Sequence, residues 1–157
     1  MSKILVYAQY KGASFAGLAT LSPKALGSPG ALYYIHSDGF QPVNLEPLDS
    51  SGRMSAGNDP MIIMTSGKLS SLAACKQMEV RVRMNVTRPD VAQLFFVPKG
   101  EALSEHNSSV RSVGAGGNDL TFDVVAKHGF EGYLRFDPVT SAQEISVENL
   151  EVRCLYP

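Results

Sequence analysis

Residues 78–86 read MEVRVRMNV, and their alternation decides the fold class. Met78, Val80, Val82, Met84 and Val86 are apolar, and Glu79, Arg81, Arg83 and Asn85 between them are polar. Successive side chains of a β-strand point to opposite faces, so this spacing predicts one buried face and one wet face. A helix would scatter the same apolar residues around its axis. The stretch is a half-buried strand.

Shorter strand candidates lie on both sides of it. They are KILVYAQY (3–10), ALYYIH (31–36), PMIIMT (60–65), AQLFFV (92–97), DLTFDVVA (119–126), YLRFD (133–137) and QEISVENLEVRCL (143–155). Clusters of Gly, Pro, Asn and Asp separate them, as turns require. About eight or nine short strands in succession predict an all-β chain folded as a sandwich or barrel. Helical signals are thin: GKLSSLAACKQ and GASFAGLATLS lack capping and periodicity together. Residues 41–60, with Pro42, Pro47, Gly52 and Pro60, read as a long loop with room for one short strand.

The composition agrees. The chain has 157 residues, 44% hydrophobic and 18% charged, which suits a single domain over residues 1–157 with a core of its own. A formal net charge of −1 gives no electrostatic case for nucleic acid or an acidic membrane surface. Fourteen Gly and nine Pro favour turns and strands over helices. The opening MSKILVYAQYKG has an apolar run too short for a signal peptide or membrane span, so a soluble protein, cytoplasmic by default and without membrane insertion, is expected. Cys75 and Cys154 each sit in an apolar strand-like run, which reads first as two buried free thiols. A bridge between them stays open if their strands are neighbours.

One stretch combines strand pattern with chemistry. In YLRFDP, Leu134 and Phe136 face one way while Tyr133, Arg135 and Asp137 face the other, and Pro138 ends the strand. Arg135 and Asp137 read first as a structural ion pair at a strand end, and second as a ligand site. Beyond the turn VTSAQ, the alternation of Ile145 and Val147 slips by one residue before Leu150, Val152 and Cys154 resume it. That slip predicts a bulge near Glu148–Asn149.

The stretches VAQLFFVPKGEALSEHNSSVRSVGAGGNDLTFDVV and YLRFDPVTSAQEISVENLEV together resemble a galactose-binding-like module. Such modules accompany bacterial polysaccharide-biosynthesis glycosyltransferases and related carbohydrate-active proteins. The resemblance runs over residues of about 75 to 155, and LRFDP places Arg135, Asp137 and Pro138 at the family's strand end. The usual Gly of the following turn is replaced here by VTSAQ. The resemblance implies an antiparallel two-sheet jelly-roll β-sandwich, non-catalytic, that binds or positions a polysaccharide or glycan, with a glycosyltransferase as a partner.

Catalytic patterns are missing. His36, His106 and His128 are far apart and show no metal-ligand spacing. EHNSS at 105–109 gathers polar groups as loop tips do. GAGGND lacks the Lys-Ser/Thr and the helix of a phosphate loop and reads as a turn between strands or sheets. No nucleophile elbow or triad is present, and the chain reads as no enzyme. No cofactor is expected; calcium held by Asp38, Asp49 or Asp59 is conceivable, without the D-x-D-x-D-G pattern.

Binding chemistry has better candidates. Arg81 and Arg83 on the wet face of the first strand, with Tyr133, Arg135 and Asp137, are the candidate ligand-binding residues, since guanidinium forks match hydroxyl pairs and carboxylates. Tyr33, Tyr34 and Tyr133 are the candidate sugar platforms in a chain without Trp. The competing expectation is a structural or assembly protein forming a symmetric oligomer, such as a virion or appendage component. The low charge and absent Trp suit that reading too.

Overall fold

The computed structural model describes residues 5–11, 40–49, 52–65 and 73–156. Nine strands lie within them: β1 Leu5–Lys11, β2 Phe40–Pro47, β3 Arg53–Thr65, β4 Gln77–Val86, β5 Asp90–Pro98, β6 Ser108–Val113, β7 Gly116–Val125, β8 Phe130–Asp137 and β9 Gln143–Tyr156. All their pairings are antiparallel. The hydrogen-bonded order is β6-β5-β8-β3-β9-β4-β7, with β1 added to β9 and β2 to β3. ALYYIH, with Tyr33, Tyr34 and His36, and also Asp38, lies outside the described residues.

This path folds over on itself at β3. Its first half, Arg53–Ala56, pairs with β9, and its second half, Ile62–Thr65, pairs with β8. One layer is therefore β7, β4, β9 and β1; the other is β6, β5 and β8; β3, with β2 paired along it, runs through both. Phe122 of β7 meets Phe136 of β8 edge to face across the interior, with ring centroids 6.0 Å apart. The result is the antiparallel two-sheet β-sandwich of the jelly-roll kind.

Residues 41–47 and 53–60 correct the sequence reading, because they belong to β2 and β3 rather than to a long loop with room for one short strand. Proline misled the expectation. β2 is an edge strand, pairing among the described residues with β3, so Pro42 and Pro47 forfeit no bond on its open side. Pro60 falls in the span 57–60, where β3 passes from one sheet to the other and no strand is paired to it. A missing N–H there costs no ladder bond. Asn44 and Asp59 take positive φ at this crossing, 55° and 50°, which Asn and Asp tolerate better than most residues. The Asn44 side-chain amide donates to the Asn58 carbonyl at 2.7 Å and ties the two kinks together.

The MEVRVRMNV pattern is a core strand as expected. Met78, Val80, Val82, Met84 and Val86 are all buried in one cluster with Leu94, Phe122, Phe130, Phe136, Leu150 and Val152. Burying each of the larger side chains contributes about 1.5–3 kcal/mol. The slip in β9 is also where expected: Arg83 pairs with Asn149 and Met84 with Val147, leaving Glu148 as the extra residue. β6 has no counterpart in the sequence reading. Its SSVRSV pattern is mostly polar because it is an edge strand, anchored at one end by the buried Val113.

The cysteine expectation is corrected. Cys75 and Cys154 form a disulfide with Cα atoms 5.8 Å apart, and both are fully buried. Apolar surroundings signalled burial, but not that the two are neighbours. That follows from the register of β4 on β9, where Met78 lies opposite Cys154.

Candidate functional site

Alternation along a sandwich strand sends one face to the core and the other to solvent, so each sheet has an outer face. The five candidate residues divide between the two. Arg81 and Arg83 alternate with buried Val80, Val82 and Met84, so they stand on the outer face of β7-β4-β9. Tyr133, Arg135 and Asp137 alternate with buried Leu134 and Phe136, on the outer face of β6-β5-β8. The structure does not bring the two groups together.

In the second group Arg135 and Asp137 are closed on each other. Arg135 donates to Asp137 at two points, Nε to Oδ1 and Nη2 to Oδ2, each 2.7 Å. Its Nη2 also reaches Asp59 Oδ1 at 3.2 Å, and its guanidinium lies over the Phe95 ring, 4.8 Å from the centroid. Burial pushes the Asp137 carboxyl above the usual range despite this pairing, and the nearby Asp59 and Glu105 push it further. The Arg135 guanidinium is raised, chiefly by its hydrogen bonds to Asp137. Asp59, a calcium candidate in the sequence, is thus in contact with a cation. Asp49, another, pairs with Arg53 at 3.3 Å.

The polar loop EHNSS is also spent internally. Residues 105–107 form one 3-10 turn, in which buried Asn107 donates to Glu101 at 2.6 Å. Glu105 receives the Gln93 amide at 2.8 Å. Gly114 and Ala115 alone connect β6 in one sheet to β7 in the other, and the rest of GAGGND opens β7; Asn118 pins the connection, its side chain accepting from Gly114 N and donating to Gly114 O.

The first group opens a groove. About 700 Å³ of space lies over β7, β4 and β9, lined by Arg81, Arg83, Asp119, Thr121, Glu148 and Arg153 among others. Strand register builds its floor. Arg81 sits between Thr121 and Glu151, and Arg83 between Asp119 and Asn149. Arg83 Nε donates to Asp119 at 2.9 Å, Arg81 Nε pairs with Glu79 at 2.6 Å, and Arg153 Nη2 donates to Glu151 at 2.8 Å. The hydrogen bond from Arg83 to Asp119 raises the guanidinium pKa further. The terminal nitrogens of Arg81 and Arg83 make no hydrogen bond among the described residues, so two guanidinium forks face the groove with their ends unpaired.

Sequence reading named the two arginines of this groove but missed Asp119, Thr121, Glu148, Glu151 and Arg153. The period-2 patterns of DLTFDVV and LEVRC carried the signal that Asp119, Thr121, Glu151 and Arg153 face outward. Only the pairing of three strands in register places them beside Arg81 and Arg83. Among the described residues no group of three His, Cys, Asp or Glu side chains could hold a metal ion.

Fold and groove together define an antiparallel jelly-roll β-sandwich with an open polar channel across one sheet. No family model and no curated protein matches the chain. Solved structures share its fold. A mutant of CBM29-2 in complex with mannohexaose is similar with a TM-score of 0.53 at 12% identity, over 98% of this chain and 93% of that one. CBM29_1, a family 29 carbohydrate binding module from Piromyces equi, gives 0.51 at 14% identity over 74% and 80%. A CBM4 structure gives 0.50 at 10% identity over 73% and 77%. At such identities the likeness defines the fold.

Proposed function

We propose that this protein is a non-catalytic carbohydrate-binding module whose glycan lies in the groove across β7, β4 and β9. The carrying observation is the groove itself, an open channel of about 700 Å³ lined by Arg81 and Arg83, whose terminal guanidinium nitrogens have no hydrogen-bond partner among the described residues and lie beside carboxylates. Sugar hydroxyls both donate and accept, so alternating guanidinium and carboxylate groups suit them. The similarity of fold to carbohydrate-binding modules supports the same reading. Arg135 and Asp137 enter as structural residues, since their hydrogen bonds are directed to each other.

The disulfide suits an oxidising compartment better than the cytoplasm. No helix among the described residues is long and apolar enough to cross a membrane. A glycosyltransferase partner belongs to this proposal on the LRFDP resemblance alone. The test is a glycan array probed with the purified protein, with and without calcium, alongside Arg81→Ala and Arg83→Ala. Binding that disappears in both variants and ignores calcium is expected. A blank array, with scattering that shows a closed oligomer, sinks the proposal in favour of an assembly role.

A further inference from the structure

The groove's charge and its free hydrogen-bonding atoms narrow what it can hold. Its lining guanidiniums, Arg81, Arg83 and Arg153, are matched by the carboxylates Asp119, Glu148 and Glu151. Glu79 and Asp123, paired across β4 and β7 on the same face, add negative charge at its end. Among the described lining residues an anionic chain therefore meets no surplus of positive charge. Among the described lining residues none is aromatic, so they offer no platform for a sugar ring to stack upon.

The free atoms form two rungs. In one, Arg81 on the inner strand β4 stands opposite Thr121 on the edge strand β7; in the next, Arg83 stands opposite Asp119. Thr121 is exposed and its hydroxyl makes no hydrogen bond among the described residues. Asp119 is 78% exposed and uses only Oδ1, toward Arg83 Nε. Each rung thus offers donors from β4 and an acceptor from β7. Residues two apart on a strand are separated by about 6.8 Å, so adjoining sugar units of a chain fill both rungs together.

Resting on the glycan-binding reading above, we propose that the groove takes neutral, hydroxyl-rich oligosaccharides by hydrogen bonding without stacking, with Asp119 and Thr121 as the hydroxyl acceptors that complete the Arg83 and Arg81 rungs. A hydroxyl that accepts from a guanidinium fork donates its own proton to the acceptor across the rung. A charge-assisted O–H to carboxylate bond is the stronger of the two kinds, so Asp119 sets affinity more than Thr121 does.

The experiment is titration calorimetry at low and high salt. Probes are neutral gluco-, manno- and galacto-oligosaccharides from monosaccharide to hexasaccharide, and uronic-acid oligosaccharides of matching lengths. Proteins are the wild type, Asp119→Asn, Thr121→Val and Val110→Ser, the last an exposed residue outside the groove, with near-ultraviolet circular dichroism to verify folding. A neutral series is expected to bind with little salt dependence and to gain affinity from mono- to disaccharide. Asp119→Asn should then weaken binding roughly tenfold to a hundredfold, Thr121→Val by less, and Val110→Ser not at all. Tighter, salt-dependent binding of the uronic series overturns this inference while leaving a glycan module standing, as does wild-type affinity in both groove variants. No binding of any probe overturns the module reading, and this one with it.

Discussion

Arg135 and Asp137, two residues apart on one face of β8, hold each other through two hydrogen bonds of 2.7 Å. With Asp59 beside them and Phe95 beneath, the guanidinium is enclosed. Their side chains are only 20% and 13% exposed, so removing one partner strands a charge that water reaches poorly. Arg135→Ala is expected to lower the unfolding free energy by about 2–3 kcal/mol, measured in urea. Groove binding should survive in that variant at temperatures where it stays folded.

The Asp137 carboxyl sits above its ordinary value of 3.8, chiefly because it is buried. Folded protein therefore binds this proton more tightly than unfolded protein does, and the group's contribution to stability falls as pH rises from 3.8 through the folded value. In Asp137→Asn that downward slope should vanish from a stability profile taken across this window. An unchanged slope would assign it elsewhere.

Asp90 behaves in the opposite sense. Against a burial that would raise it, hydrogen bonds from Thr140, Ser141 and Val91 hold its carboxyl far below the usual carboxylate range. Both oxygens are used: Oδ1 accepts from Thr140 N and Oγ1, and Oδ2 from Ser141 N and Oγ and the Gln143 amide. Its stabilisation is complete above the unfolded value of 3.8 and declines as pH drops toward the folded one. Asp90→Asn should cost about 1.5–3 kcal/mol at neutral pH, and the gap from wild type should close in acid.

The disulfide closes a span of 79 residues. Loop-closure entropy for that length predicts a loss of about 4–5 kcal/mol in the Cys75→Ala, Cys154→Ala double variant. Thermal melts with and without reductant, plus thiol titration of the unfolded wild type, measure it. Reactive thiols before reduction would contradict the bond.

Gly129 combines a φ of 93° with a neighbour that leaves no room: a Cβ there would overlap the Ala73 carbonyl. Gly129→Ala is expected to destabilise by about 2 kcal/mol or more, since both the backbone conformation and the contact oppose it. Gly100→Ala, also at positive φ but with open space around it, should cost less. Equal losses would show that conformation, not the contact, decides.

Several features were legible before any coordinates. Five alternating apolar residues between Met78 and Val86 define a strand by period alone, because side chains on a strand have only two directions to take. The same logic located the bulge at Glu148, since one inserted residue must exchange the faces. It also placed Arg81 and Arg83 on a wet face. Proline, by contrast, was misread at 42 and 47, and at 60 it suggested the start of a strand that in fact runs through it. Its cost depends on whether an N–H was needed there, and that is a property of the neighbouring strand.

Local pattern also could not say which strands are neighbours. Cys75 and Cys154, Arg83 and Asp119, Arg135 and Asp59 are each far apart in the chain and meet only through pairing and register. Sequence determined which face each side chain would take, because that follows from backbone geometry within a few residues. Tertiary structure alone decided which faces share a sheet, and so separated Arg81 and Arg83 from Arg135 and Asp137 by the full thickness of the core.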